Sequence, residues 1–506
     1  MRTFAEESLV VHTGTMTIAT RYELRDPTLL RDRLFVAGRW VEATDGAGDE
    51  VRDPYTGDVV GLVPRGGRAD ARQAIEAAAD ALRAWAAMPA KGRSQILRAW
   101  YDLVVANADD LATILTAEQG KPVAEAKGEI LYGATFIEWY AEEAKRAYGE
   151  VIPSPAPGRR LLTLRRPVGV CAAITPWNFP MGMIARKAAP ALAAGCTFVV
   201  KPAPATPLSA LAMAALAERA GVPPGVLNVV CGPAEEVGAE LADSPTVRKL
   251  TFTGSTAVGK LLMAQAAQTV KRVSLELGGN APFIVFDDAD LDAAVTGAIA
   301  SKFRNSGQTC VCANRVLVQS GVHDDFVARL VQATSALRVG DGFAPGVEQG
   351  PLIDDRAVAK VRDHLADALE RGASVACGGG PHALGGTFFE PTVLTGATPD
   401  MRLASEETFG PVAPVFRFET EAEAIELANA TESGLAAYLY SRDLGRVWRV
   451  GEALEFGVVG VNTGLISYEG APFGGVKQSG LGREGSRHGL DDYLEITYLC
   501  LDGLDA

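Results

Sequence analysis

The stretch VGVCAAITPWNFPMGMIARKAAPALAAGCTFVV, Val168 to Val200, decides the fold. Its first eight residues, 168–175, are a short apolar run that reads as a buried strand. MGMIARKAAPALAAG reads as a helix closed by Gly195, and CTFVV (196–200) as a second strand. Strand, helix and strand in such close order make the βαβ unit of a parallel sheet. The cycle continues with the helix PLSALAMAALAERAG (207–221). VLNVVCG then AEEVGAELAD, and VRKLTFTG then STAVGKLLMAQAAQ, complete the series.

A second series starts at PFIVF (282–286), with a helix from Asp290 to Phe303, the strand ANRVLVQ and a helix over 323–337, and runs on toward Val412–Phe418. The fold class is therefore α/β, with two doubly wound parallel-sheet domains and a ligand cleft between them. The segment 149–167 interrupts the first series with alternating residues around a Pro/Gly turn and reads as a protruding hairpin, whose exposed edge a partner subunit covers. The expected organisation is an N-terminal extension over 1–20 and two α/β units, one over 21–148 and 168–278 and the other over 279–488, with the hairpin over 149–167.

The chain has 506 residues, long enough for two or three domains, and a formal charge of -14. That charge argues against nucleic acid and anionic membranes, which need basic patches. An acidic substrate must therefore be drawn in by local arginines. The uncharged run Pro167 to Ala185 has roughly the length of a membrane span, yet Pro176, Asn178 and Pro180 interrupt it. Seven thinly spread cysteines and no secretory leader point to a reducing cytoplasm. Five scattered histidines, without an i, i+4 pair, suggest no metal site.

Several short motifs carry chemistry. In FTGSTAVGK, Gly254, Ser255 and Gly259 stand where a strand enters a capped helix, a cradle of N–H groups for phosphate, although the spacing does not match G-x-G-x-x-G and capping alone explains it equally well. LELGGN sets Glu276 at a strand end before two glycines that permit close backbone approach; such a carboxylate is either a base with a raised pKa or a solvated terminus. TPWNFP holds Asn178 in a stiff loop, where its amide donates to an oxyanion or staples a turn. FRNSGQTCVC places Cys310 and Cys312 one residue apart behind a turn-forming Asn-Ser-Gly. Either thiol is a candidate nucleophile on physical grounds, and either also suits a core.

TPWNFP, KPAPATP, FTGST, LELGGN, GQTC, EETFGP and PFGGVKQSGLGREG, in this order, resemble the aldehyde dehydrogenase superfamily. The likeness runs from LRDPTLLRDRLFVAGRW (24–40) to the C-terminal tail, and SKFRNSGQTCVCANR with GLIS is similar to the succinate-semialdehyde type. The resemblance implies that Cys310 is the nucleophile, that Asn178 and the Cys310 N–H hold the oxyanion, and that Glu276 activates water. It assigns Trp177, Lys201, Ser255, Glu407 and Phe409 to the cofactor, with Lys201 on the adenosine ribose, Ser255 on the pyrophosphate and Glu407 on the nicotinamide ribose. Many NAD-using relatives carry Glu where this chain has Pro204; a carboxylate there repels a 2′-phosphate, so Pro204 favours NADP, with NAD use still open.

The same resemblance implies a carboxylate grip built from Arg186, Arg304 and Ser467, hence oxidation of succinic semialdehyde, with glutaric semialdehyde or a broader range of aldehydes as the alternative. An arginine fork binds carboxylate through two parallel charge-assisted bonds. Relatives with this Cys-x-Cys pattern form a disulfide between the two thiols on oxidation, which would make Cys312 a reversible silencer of Cys310. The resemblance also implies that 21–148 and 168–278 form a Rossmann-like cofactor domain and 279–488 a catalytic domain, and that the chain is a homo-oligomer, a dimer or tetramer, assembled through a small β arm of the hairpin 149–167 and the tail 489–506.

Overall fold

The computed structural model describes residues 22–504, so the expected extension over 1–20 lies outside the described residues. The first sheet runs, edge to edge, through Gly480–Leu481, Arg272–Glu276, Val247–Thr253, Val170–Ile174, Thr197–Lys201, Leu227–Val229, Leu34–Val36 and Arg39–Val41. The five strands from Arg272–Glu276 to Leu227–Val229 are parallel. Val170–Ile174 comes first of these five in the chain yet sits in their middle. Later strands lie on both sides of it, so the winding reverses there and a crevice opens at the carboxyl ends. All residues of Val170–Ile174 and Thr197–Lys201 are buried, because helices cover both faces. Gly195 ends the intervening helix Pro180–Ala194 in the left-handed conformation, φ 94°, as expected for a residue without a side chain.

The second sheet runs Ser374–Cys377, Thr392–Thr395, Val412–Phe418, Ala313–Gln319, Ala281–Val285, Ala436–Tyr440 and Val458–Val461, parallel except for its first pair. Its strands alternate between two apolar layers. Ile284 and Leu317 enter one, while Phe283, Val285, Val316 and Val318 enter the other. The short strand Gly480–Leu481, from the stretch 279–488, pairs antiparallel with Arg272–Glu276, Gly480 opposite Glu276. That stretch is thus not confined to the second sheet, and it returns to the first at the strand end that carries a candidate base.

Segment 149–167 supplies Val151–Ile152 and Arg160–Pro167, and Leu494–Leu501 pairs with the latter in register from Leu494 opposite Pro167 to Leu501 opposite Arg160. Val151, Ile496 and Tyr498 stand exposed on this three-stranded arm. Helix Val123–Glu143 packs against Pro180–Ala194 and carries one face into the crevice.

Candidate active site

Cys310 follows a tight turn in which Asn305, Ser306 and Gly307 all have positive φ, 50°, 57° and 73°. Left-handed backbone costs roughly 1–2 kcal/mol per non-glycine residue, so the turn must be held from outside. It is held on every side. The Asn305 side chain accepts from Gln119 Nε2 at 3.0 Å and donates to the Asn178 carbonyl at 3.0 Å, while its N–H donates to Glu125 at 2.9 Å. Ser306 Oγ donates to the Gly350 carbonyl at 2.8 Å. A Cβ on Gly307 would lie 2.2 Å from the Gly410 carbonyl, so no side chain fits there. The expected close approach at LELGGN is also present: a Cβ on Gly279 would lie 2.2 Å from the Cys310 carbonyl oxygen.

Two cavities meet at Cys310. One, about 320 Å³, is lined by Trp177, Asn178, Gly254, Ser255, Glu276, Glu407, Phe409 and Lys360 among others. The second, about 300 Å³, is lined by Arg186, Arg304, Ser467, Phe179, Phe473, Tyr132, Lys121 and Glu125 among others. The sequence candidates thus divide into a cofactor-side group and a substrate-side group, with one thiol shared. Lys201, Pro204 and Gly259 lie outside both cavities. Lys201 is buried at its strand end, with Nζ 3.2 Å from the Pro202 carbonyl, and Pro204 is exposed beside it. Gly259 serves packing, since a Cβ would come within 2.4 Å of Leu277. Cys312 lies below the cavities, buried, with Sγ 3.4 Å from the Gly307 carbonyl and 3.6 Å from Lys302 Nζ. All seven cysteines are free thiols.

The electrostatics of the site follow from burial. Burial, then the charge of Glu407, push the Cys310 thiol up to about 12, against the opposing pull of Arg186 and Arg304. Glu276 is buried with Oε2 unpartnered; burial, then the neighbouring Glu484, hold it well above the usual carboxylate range. Burial also lifts Glu407 to about 7, although the Gly279 N–H donates to it at 3.1 Å. Asn178 uses one amide hydrogen on the Gln308 carbonyl at 2.9 Å, and the second remains available.

On the substrate side the cations differ. Lys121 pairs with Glu129 at 2.6 Å and donates to the Asn178 carbonyl at 2.7 Å. Arg186 stacks on Phe473, 4.2 Å from its ring centre, with Nη2 2.8 Å from Glu484 Oε2, an ion contact whose angle leaves Nη2 without an aligned hydrogen bond. Arg304 lies over Phe179 at 5.5 Å; among the described residues it has no carboxylate in ion-pair range, and its buried Nε has no partner. Burial raises the pKa of Glu125, while Lys121 and Arg304 pull it down.

Sequence reading passed over Lys121, Glu125, Glu129, Tyr132, Lys187 and Glu484. A signal was available for three of them: Glu125, Glu129 and Tyr132 stand at i, i+4 and i+7, one face of helix Val123–Glu143, where charge on a buried stripe is unusual. Glu129 Oε1 accepts from the N–H groups of Met181 and Gly182 at 3.0 and 3.1 Å, fixing the first turn of the helix that follows Asn178. Glu484 and Lys187, 297 residues apart in sequence, form a buried pair that no local pattern shows.

The chain is similar to known proteins over nearly its whole length. A family model described as the aldehyde dehydrogenase family matches residues 40–499. The chain is 61% identical over 482 residues to glutarate-semialdehyde dehydrogenase of Pseudomonas aeruginosa, covering 95% of this chain and 100% of that protein. It is 60% identical over 479 residues to an Escherichia coli succinate-semialdehyde dehydrogenase designated NADP(+), covering 95% and 99%. A crystal structure of succinate-semialdehyde dehydrogenase from Burkholderia pseudomallei superposes with a TM-score of 0.94 at 64% identity, over 95% of this chain and 99% of that one.

Proposed function

Because the chain belongs to the aldehyde dehydrogenase family, we propose that it oxidises succinic semialdehyde to succinate with NADP. The observation that carries the substrate class is Arg304, the cation of the substrate-side cavity that has no carboxylate of its own. The likeness to a glutarate-semialdehyde dehydrogenase favours the longer homologue as a second reading. One methylene is worth only about 1–3 kcal/mol in such a pocket.

The aldehyde enters the substrate-side cavity with its distal carboxylate toward Arg304 and Ser467, beside Arg186, which Glu484 already holds. Cys310, once deprotonated, attacks the carbonyl carbon to form a thiohemiacetal. Asn178 and the Cys310 N–H donate to the developing oxyanion. Glu276 then accepts a proton from water, which attacks the Cys310 thioester and frees the acid. Burial and the neighbouring Glu484 raise its pKa, which strengthens it as a base.

The residues present fit a nicotinamide dinucleotide. Gly254, Gly278, the Ser255 cap and Glu407 line the cofactor-side cavity, and Lys201 is a buried cation without a carboxylate partner among the described residues. A nicotinamide held there would supply the hydride acceptor that oxidation of the thiohemiacetal requires. Ser255 and the adjoining N–H groups would hold the pyrophosphate, Glu407 and Lys201 the two riboses, and Trp177 and Phe409, in edge-on contact at 5.7 Å, would wall the site. Burial lowers the pKa of Lys201. Pro204 offers no charge against a 2′-phosphate, which supports NADP over NAD.

The exposed apolar residues on the arm support a homo-oligomer, dimer or tetramer, joined at that sheet, and the free cysteines support a cytoplasmic setting. Among the described residues no helix is long and apolar enough to cross a membrane. The deciding experiment is initial rates for succinic semialdehyde, glutaric semialdehyde and propanal, each with NADP and with NAD. Preference for a semialdehyde with NADP is expected. Equal specificity for propanal would discard the carboxylate grip.

A further inference from the structure

Glu407 reaches the cofactor-side cavity from a segment whose backbone is strained. Phe409, two residues on and in the same cavity lining, has φ 55°, a left-handed conformation that persists only where surrounding groups hold it. Asn314 holds the backbone: its Nδ2 donates to the Glu406 carbonyl at 3.1 Å, and its Oδ1 accepts from the Thr408 N–H at 3.3 Å. His364 holds the side chains. It stands on helix Asp355–Glu370, is fully buried, and places Nδ1 3.2 Å from Thr408 Oγ1 and Nε2 3.3 Å from Glu406 Oε2. Its two ring nitrogens thus grip the two residues that flank Glu407 in the chain.

The place of the ring proton follows from these partners. Arg402 donates to the Glu406 carboxylate at 3.1 and 3.0 Å and holds its pKa below the ordinary value, so that carboxylate is an acceptor only. Burial, then Lys360 and Arg402, lower the His364 pKa against the opposing pull of Glu406, and a neutral imidazole carries one hydrogen. That hydrogen sits on Nε2, toward Glu406, while Nδ1 accepts from the Thr408 hydroxyl.

We infer that His364 is a positioning residue: it fixes the backbone from which the Glu407 carboxylate projects, and through it sets the affinity of the site for the nicotinamide ribose. The inference rests on the reading of Glu407 as the ribose ligand. A rigid ring with a donor on one nitrogen and an acceptor on the other matches a carboxylate and a hydroxyl two residues apart, and a binding group is only as exact as the groups that support it.

The test compares His364→Leu, His364→Gln and Thr408→Val, each alone and with Glu407→Gln, by the dissociation constant of NADPH read from nicotinamide fluorescence and by KM. His364→Leu should weaken NADPH and raise the KM for NADP by about fivefold or more, with the KM for succinic semialdehyde within about twofold of wild type. His364→Gln, whose amide still offers a donor, should stay within about threefold of wild type. In the Glu407→Gln background the effect of His364→Leu should fall below about twofold, because both changes act on one group. Thr408→Val deletes only a hydroxyl and decides alone if the leucine variant does not fold: about a threefold weakening is expected. An NADPH dissociation constant unchanged by His364→Leu, or by Thr408→Val, would overturn the inference, even with thermal stability or active fraction lowered, the mark of a structural role. So would an undiminished effect in the Glu407→Gln background. The parent reading fails differently: Glu407→Gln by itself would then leave NADPH binding unchanged.

Discussion

Replacing Arg304 by Gln removes the charge that defines the substrate-side cavity and leaves a neutral side chain over Phe179. Two unit charges about 4 Å apart interact by about 4 kcal/mol at the effective dielectric of a site near the surface. Hydrogen bonds to charged groups are worth about 1.5–3 kcal/mol net. A loss of roughly 2–4 kcal/mol follows, or about thirty- to a thousandfold in kcat/KM for succinic semialdehyde. Propanal has nothing to offer the guanidinium. Its rate should fall only through the weaker effect of Arg304 on the Cys310 thiol, which ranks behind burial, Glu407, Arg186 and Glu276, so about threefold at most is expected. The assay is formation of reduced cofactor, followed by absorbance for both aldehydes across matched concentrations. Arg186→Met provides a contrast: Glu484 loses one of two cationic partners, repulsion on Glu276 grows, and kcat should drop for both substrates. If Arg304→Gln lowers both aldehydes by one common factor, the assignment of Arg304 to the carboxylate is wrong.

Other expectations concern base, redox control and cofactor. Glu276→Gln should lower steady-state kcat by about 10²–10⁴ while keeping a stoichiometric burst of reduced cofactor, since only thioester hydrolysis needs the base. Because Glu276 must be ionised to act and its pKa is raised, wild-type kcat should climb with pH above the ordinary carboxylate range, and that limb should vanish in the variant. A limb confined to the ordinary carboxylate range would contradict the burial argument. Peroxide-inactivated wild type should recover with dithiol reductant, whereas Cys312→Ala should recover much less; equal recovery would exclude Cys312 as the partner thiol. Pro204→Glu should raise the KM for NADP by about tenfold or more relative to NAD through repulsion of the 2′-phosphate. An unchanged ratio would place the 2′-phosphate elsewhere.

Much of this protein was determined locally by its sequence. Val168 to Val200 forms strand, helix and strand because apolar runs, a Pro start and a Gly stop all act within a few residues, and those effects do not wait for the rest of the chain. Asn305-Ser306-Gly307 announces a turn, whose left-handed backbone is then held by Gln119, Glu125 and Gly350 from elsewhere in the chain, and the paired glycines of LELGGN announce a close approach. Composition and spacing left Cys310 and Cys312 equal; the tertiary structure separates them by exposure, placing Cys310 between two cavities and Cys312 beneath them. It also decides which cations are free. Arg186 and Arg304 look alike in sequence, yet Glu484, nearly three hundred residues further along the chain, occupies one and leaves the other. Charge pairing and pKa depend on groups brought together through space, because Coulomb forces and desolvation act on distance and not on chain position.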